Sequence, residues 1–173
     1  MYAPSNALTL SRPLVRGLIV LNLLYVAGLL LLFVASLVAE DTLFDALGVR
    51  DGDHRPRLIA GMCTMMIVGA IAAGVVDRVL RQLLAIVDTV RAGNPFVADN
   101  ARRLQAIAWW VLAGECLRLV IGVIALAAST PAQPLDVEIG FSLAPWLAVL
   151  LLFVLARVFD EGTRMRDDLE GTV

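Results

Sequence analysis

Polar positions along this chain are bunched, and the gaps between them set the elements. No charge interrupts positions 17–39, 58–76 or 139–156, runs of 23, 19 and 18 residues. A helix crosses a bilayer with about 20 predominantly apolar residues, so each run predicts a membrane span. A fourth interval, 104–128, is apolar except for Glu115 and Arg118. Its eleven Leu, Ile and Val residues favour insertion by roughly 3 to 7 kcal/mol, and two central charges oppose it by about 5 to 7 kcal/mol. The near balance tips toward a span, because neighbouring helices can satisfy two charges, whereas leaving 109–128 in water would expose a long apolar surface. The expected spans are therefore about 14–39, 57–76, 104–128 and 141–158, with loops at 40–56 and 129–140, a polar connection at 77–103 and a tail at 159–173. The first run exceeds the roughly 7 to 15 apolar residues of a cleavable signal core. Leu37 also stands where such a site wants a small residue, so the segment is expected to stay in the membrane.

Beyond Val76 the pattern changes period. At 100° per residue, Val79, Leu83, Ile86, Val87 and Val90 gather on one side, and Asp77, Arg78, Arg81, Gln82, Asp88 and Arg91 on the other. This predicts an amphipathic helix that either prolongs the second span or bends along the membrane surface. Gly93 with Asn94-Pro95 supplies a stop. Asn94 or Asp99 is placed to cap the next helix, which carries Asn100, Arg102 and Arg103 before Leu104. The segment "RAGNPFVADNARRL" is thus an elbow between spans two and three, a helix-turn-helix in the topological sense only.

Composition agrees: 60% of residues are hydrophobic, 17% are charged and the mean hydropathy is +0.83, well beyond a soluble domain. The fold class implied is all-α, an integral membrane four-helix bundle forming one membrane domain, with an amphipathic helical elbow between helices 2 and 3. All 14 basic residues are arginine and the net charge is −2, so the distribution of charge matters more than its sum. Ten arginines fall in the N-terminal flank, the 77–103 connection and the stretch from Arg157 onward, while 129–138 holds two acids and no base. The positive-inside rule therefore puts both termini and the elbow in the cytoplasm, and the all-arginine usage suggests a GC-rich bacterial genome, so the membrane expected is a bacterial inner membrane. The 40–57 stretch dissents with Arg50, Arg55 and Arg57, but five acids accompany them.

Candidate chemistry is sparse. Glu115 and Arg118 are three apart, so they share a helix face and can pair. An ionisable pair at mid-membrane points to a ligand or proton site, or else to an ion pair that fixes helix packing with Gly114 and Gly122 on the same face. Cys63 lies about 9 Å inside its span and Cys116 about 18 Å inside from the opposite end, which favours two free thiols over a disulfide. His54 is the only histidine and reads as a solvated loop residue. Gly61, Gly69, Ala73 and Gly74 give the second span a small-residue face suited to packing. Trp109, Trp110 and Trp146 fall near span ends, as an aromatic belt would. The tail is expected to extend the last helix, either as a solvated end or as a docking strip. No phosphate-cradling glycine loop, nucleophile–base pair or metal cluster is visible, so neither an enzyme nor a cofactor is indicated.

The stretch "AIVDTVRAGNPFVADNARRLQAIAWW", with four spans and a short polar tail, resembles the bacterial integral membrane family called domain of unknown function 2975. The sharpest part is G-N-P-F-V-x-x-N-x-x-R-L, here Gly93, Asn94, Pro95, Phe96, Val97, Asn100, Arg103 and Leu104. Members of that family are often encoded beside a small DNA-binding protein of the Cro/repressor type. The resemblance therefore implies a non-enzymatic membrane partner or regulator of a small cytoplasmic helix-turn-helix transcription factor, with Asn94, Pro95, Phe96, Asn100 and Arg103 as the docking elbow. The chain has no surface for nucleic acid itself, since its basic residues are few and mixed with acids. The other reading is a small transporter or ligand-binding bundle built on Glu115 and Arg118. The lipid bilayer is the one partner that composition demands, and the pattern is compatible with a homo-oligomer.

Overall fold

A computed structural model describes residues 6–38, 55–128 and 142–170. Among these residues the regular structure is all helical: α1 (Asn6–Val38), α2 (Arg55–Arg91), α3 (Ala98–Ala128) and α4 (Leu143–Glu170). The helices hold 33, 37, 31 and 28 residues. At about 1.5 Å per residue each exceeds the roughly 30 Å hydrocarbon thickness of a bilayer. All four are long and apolar enough to cross a membrane.

α2 resolves a choice that periodicity left open. The second span and the amphipathic stretch after it form one unbroken helix from Arg55 to Arg91. The elbow is thus a prolongation of α2 followed by a tight turn. Arg55 and Arg57 belong to this helix, not to the preceding loop. α3 likewise starts at Ala98, before its apolar run, and α4 continues past Ala156 to Glu170. His54 and the connections 40–54 and 129–140 lie outside the described residues.

Two compact units divide the chain: Arg16–Asp77, and Met1–Val15 with Arg78–Val173. In the first, α1 and α2 meet through small residues. A Cβ added to Gly69 would lie 3.1 Å from the Tyr25 hydroxyl and 3.2 Å from Leu29 Cδ1. One turn on, buried Ala73 accepts a 3.0 Å hydrogen bond at its carbonyl oxygen from Asn22 Nδ2. Asn22, Tyr25 and Leu29 recur on one face of α1, opposite Gly69 and Ala73 of α2. Gly61 and Gly74 border open space, so only part of the expected small-residue face makes a close approach. Most of α1 is apolar all round and exposed, from Leu18 to Val38, as a helix solvated by lipid should be.

The second unit packs α3 against α4. Its core is Ile86, Leu104, Ile107 and Ala156, with Val79, Val90, Val111, Leu152 and Phe159 around it. The apolar stripe on the end of α2 is therefore spent on protein contacts. Leu83, expected on that stripe, is 38% exposed, and Leu80 is buried in its place. Arg12 at the start of α1 belongs to this unit and forms a 2.9 Å ion pair with Asp88.

Candidate functional site

The elbow is built by a helix stop, a turn and a buried amide. Thr89 to Arg91 end α2, and Gly93 adopts φ +81°, a left-handed conformation that costs about 1 to 2 kcal/mol for a residue bearing a Cβ. The Gly93 N–H donates to the Val90 carbonyl and the Asn94 N–H to the Thr89 carbonyl, both at 3.1 Å. This paired pattern satisfies carbonyls that a helix end would otherwise leave without partners. Pro95 follows, where its missing N–H prevents the helix from resuming.

The side chain that ties the turn together is Asn100, which is wholly buried at 0% exposure. Its Nδ2 donates to the Pro95 carbonyl at 2.9 Å and to Thr89 Oγ1 at 2.7 Å. Thr89 Oγ1 in turn donates to the Ile86 carbonyl at 2.7 Å. On the other side Asn100 Oδ1 accepts from Arg103 Nη1 at 2.9 Å. These partners fix the amide orientation: a flip would set its NH2 group against the donor-only guanidinium and its oxygen against a carbonyl. The end of α2, the turn and the first turn of α3 are thus joined at one residue.

Helix capping departs from expectation. α3 is preceded by Val97, whose carbonyl accepts the Asn100 N–H at 2.9 Å. Asp99 sits inside the first turn and pairs with Arg102 at 3.3 Å. The Asn94 side chain faces α4, where its Oδ1 accepts from Arg166 Nη1 at 3.3 Å. An acid in the first turn still complements the helix dipole.

Phe96 joins the elbow to α4. Its ring centroid lies 5.3 Å from that of Phe159 at a 41° tilt. Beside it, a Cβ on Gly162 would stand 2.8 Å from Phe96 Cδ1. Glycine at 162 thus opens the seat that one face of the ring occupies, while 42% of Phe96 remains exposed. Thr89, Phe159, Gly162 and Arg166, none of them singled out in the sequence, are the partners that hold the elbow. Gly162 in the charged stretch "FDEGTRMR" was the available signal, since glycine weakens a helix unless something approaches closely.

At mid-membrane, Glu115 and Arg118 form a bidentate ion pair: Arg118 Nε donates to Oε2 at 3.0 Å and Nη2 to Oε1 at 2.7 Å. Glu115 is eleven positions beyond Leu104, about 16 Å along the helix. Its side chain is 7% exposed and that of Arg118 is 40% exposed. The fork geometry satisfies both carboxylate oxygens within one helix. Trp109 packs edge-on against Phe153 at 5.5 Å, an α3–α4 contact in addition to its exposed face. Cys63 and Cys116 are free thiols. Among the described residues, no group of three or more His, Cys, Asp and Glu side chains could hold a metal ion.

An open cleft of about 410 Å³ lies between α2 and α3 beside the elbow, lined by Gln82, Asp99, Arg102, Arg103 and Ala106. The last four recur at helical spacing along one face of α3.

Comparison with curated proteins and with solved structures finds no match in either. A family model, described as a protein of unknown function (DUF2975), matches residues 7–173. That span takes in the four membrane-length helices and the Asn100-centred elbow, and the chain therefore belongs to the DUF2975 family, whose function is unknown.

Proposed function

We propose that this protein is a non-enzymatic membrane partner of a small cytoplasmic helix-turn-helix protein, held at the end of the molecule where the elbow meets α4. The observation that carries this reading is an apolar strip on a charged extension. Phe96, Met165 and Leu169 are 42%, 57% and 73% exposed. Gly162, which seats Phe96, shares a face of α4 with Met165 and Leu169 at i, i+3 and i+7. Met165 and Leu169 lie beyond Ala156, where the uncharged run of the last span ends, in a stretch that carries Arg157, Asp160, Glu161, Arg164 and Arg166, which supports a place outside the lipid. Exposed apolar side chains at helical spacing are what one helix offers another in groove-type recognition. The excess of arginine at this end favours the cytoplasm, and the genetic setting of the family supplies the class of partner. Asn100 acts from within: buried and fully bonded, it holds Phe96 in position.

The test is co-purification of the chain with the helix-turn-helix protein encoded beside it. Met165→Glu with Leu169→Glu should abolish capture while leaving membrane insertion and melting behaviour unchanged. Undiminished capture by that double variant, or a gene neighbourhood without such a protein, overturns the reading.

A further inference from the structure

The α2–α3 cleft suits a ligand of another kind, whose binding is independent of any helix-turn-helix partner. We propose that this cleft binds a phosphate-bearing anion, supplied by the headgroup of an anionic phospholipid. Three observations meet there. First, it is a shallow, open depression of about 410 Å³, a shape that suits a headgroup whose tails stay in the bilayer better than an enclosed small molecule.

Second, the donors are suited to phosphate. Arg103 gives one N–H to Asn100, which pins its guanidinium while the rest of the fork keeps its donors. Among the described residues, Arg102 is held by a 3.3 Å pair with Asp99, at 76% and 63% side-chain exposure. Such an exposed pair is weak and is readily exchanged for a phosphate, which arginine engages bidentately. Gln82 contributes an amide from the facing wall.

Third, the level along the helix is right. Arg102 and Arg103 immediately precede Leu104, where the apolar run of α3 begins, and Ala106 closes the cleft on that side. Headgroup phosphates lie at this boundary, and basic pockets between membrane helices select them. Asp99 is the opposing group: its carboxylate holds Arg102 and repels the anion, so the site is tuned below its maximum affinity.

The experiment is native mass spectrometry of the full chain in detergent, titrated with phosphatidylglycerol, phosphatidylcholine or inorganic phosphate. One phosphatidylglycerol should be retained per chain, and phosphatidylcholine, which has the same phosphate but would hold a choline cation beside the two arginines, should bind at least about tenfold more weakly. Arg102→Gln, which leaves the Asn100 bonds untouched, should weaken phosphatidylglycerol by a similar factor. Asp99→Asn should tighten it. Arg164→Gln, which removes an exposed arginine on α4, should change nothing. Equal loss in Arg164→Gln would mean a diffuse basic surface, and equal retention of phosphatidylcholine would mean that the net negative charge of the headgroup is not selected. Displacement of the lipid by inorganic phosphate at comparable concentration would make the ligand a free anion. Each of these three results overturns the lipid assignment.

Discussion

Asn100 illustrates how one side chain can decide a local fold. It is wholly buried and bonds to Pro95, Thr89 and Arg103, so it serves the turn before it, the helix before that and its own helix together. Asn100→Ala leaves the Pro95 carbonyl without its side-chain donor and the Arg103 guanidinium without this acceptor. Pro95 and Arg103 are only part-buried and the Pro95 carbonyl keeps the Val97 N–H at 3.2 Å, so the loss expected is about 0.5 to 1.5 kcal/mol for each bond removed. Asn100→Asp is the sharper variant, because it keeps an acceptor for Arg103 and removes both donors. Thermal unfolding in detergent should show Asn100→Asp destabilised nearly as much as Asn100→Ala. Wild-type stability in the aspartate variant would mean that the two donated bonds contribute little. In the sequence, Asn100 stood out as a member of the family motif and of the expected docking elbow, but nothing marked it as buried. Nothing in local spacing distinguishes a surface amide from a buried one, since Thr89, eleven positions back, meets it only once the chain has turned.

At the scale of elements, the contacts between helices rest on absent side chains as much as on present ones. Gly69 lets α1 approach α2 until a Cβ would stand 3.1 Å from the Tyr25 hydroxyl, and Asn22 donates to the Ala73 carbonyl one turn away. Between helices in lipid, close packing and interhelical hydrogen bonds replace the hydrophobic drive. Gly69→Leu should therefore separate the two helices. The expected result is a lower melting temperature in detergent, whereas Gly74→Leu, directed into open space, should be tolerated. Equal tolerance of both would remove Gly69 as the contact point. Composition marked the second span as small-faced but gave no means of ranking Gly61, Gly69 and Gly74, because the ranking depends on which face α1 meets. The Glu115–Arg118 pair was legible for the opposite reason. Both residues lie on one helix, three apart, so helix geometry alone brings the guanidinium to the carboxylate.

For the whole molecule, four apolar helices establish a multi-pass membrane protein, and arginine placement supplies an expectation for its orientation. The elbow and both termini should face the cytoplasm, with 129–140 on the opposite side. Single cysteines in a background with Cys63 and Cys116 replaced give the test. A membrane-impermeant thiol reagent applied to intact cells should label Gln133→Cys at once and Ala92→Cys only after the membrane is opened. The reverse order would invert the topology and place the Phe96–Met165–Leu169 strip outside the cytoplasm.

By itself, the sequence determined four membrane-length helices and the turn between the second and third, because each follows from spacing along the chain: uncharged runs, a change of period, and a glycine–asparagine–proline stop; the motif around Asn100 carried the family resemblance. Tertiary structure decided what the elbow residues do. It buried Asn100, turned Asn94 toward Arg166, seated Phe96 against Phe159 and Gly162, and continued α2 unbroken to Arg91. Those outcomes join positions as much as 72 residues apart. Burial and partner choice at such separations are set by how helices pack, to which the periodicity of any single helix is blind.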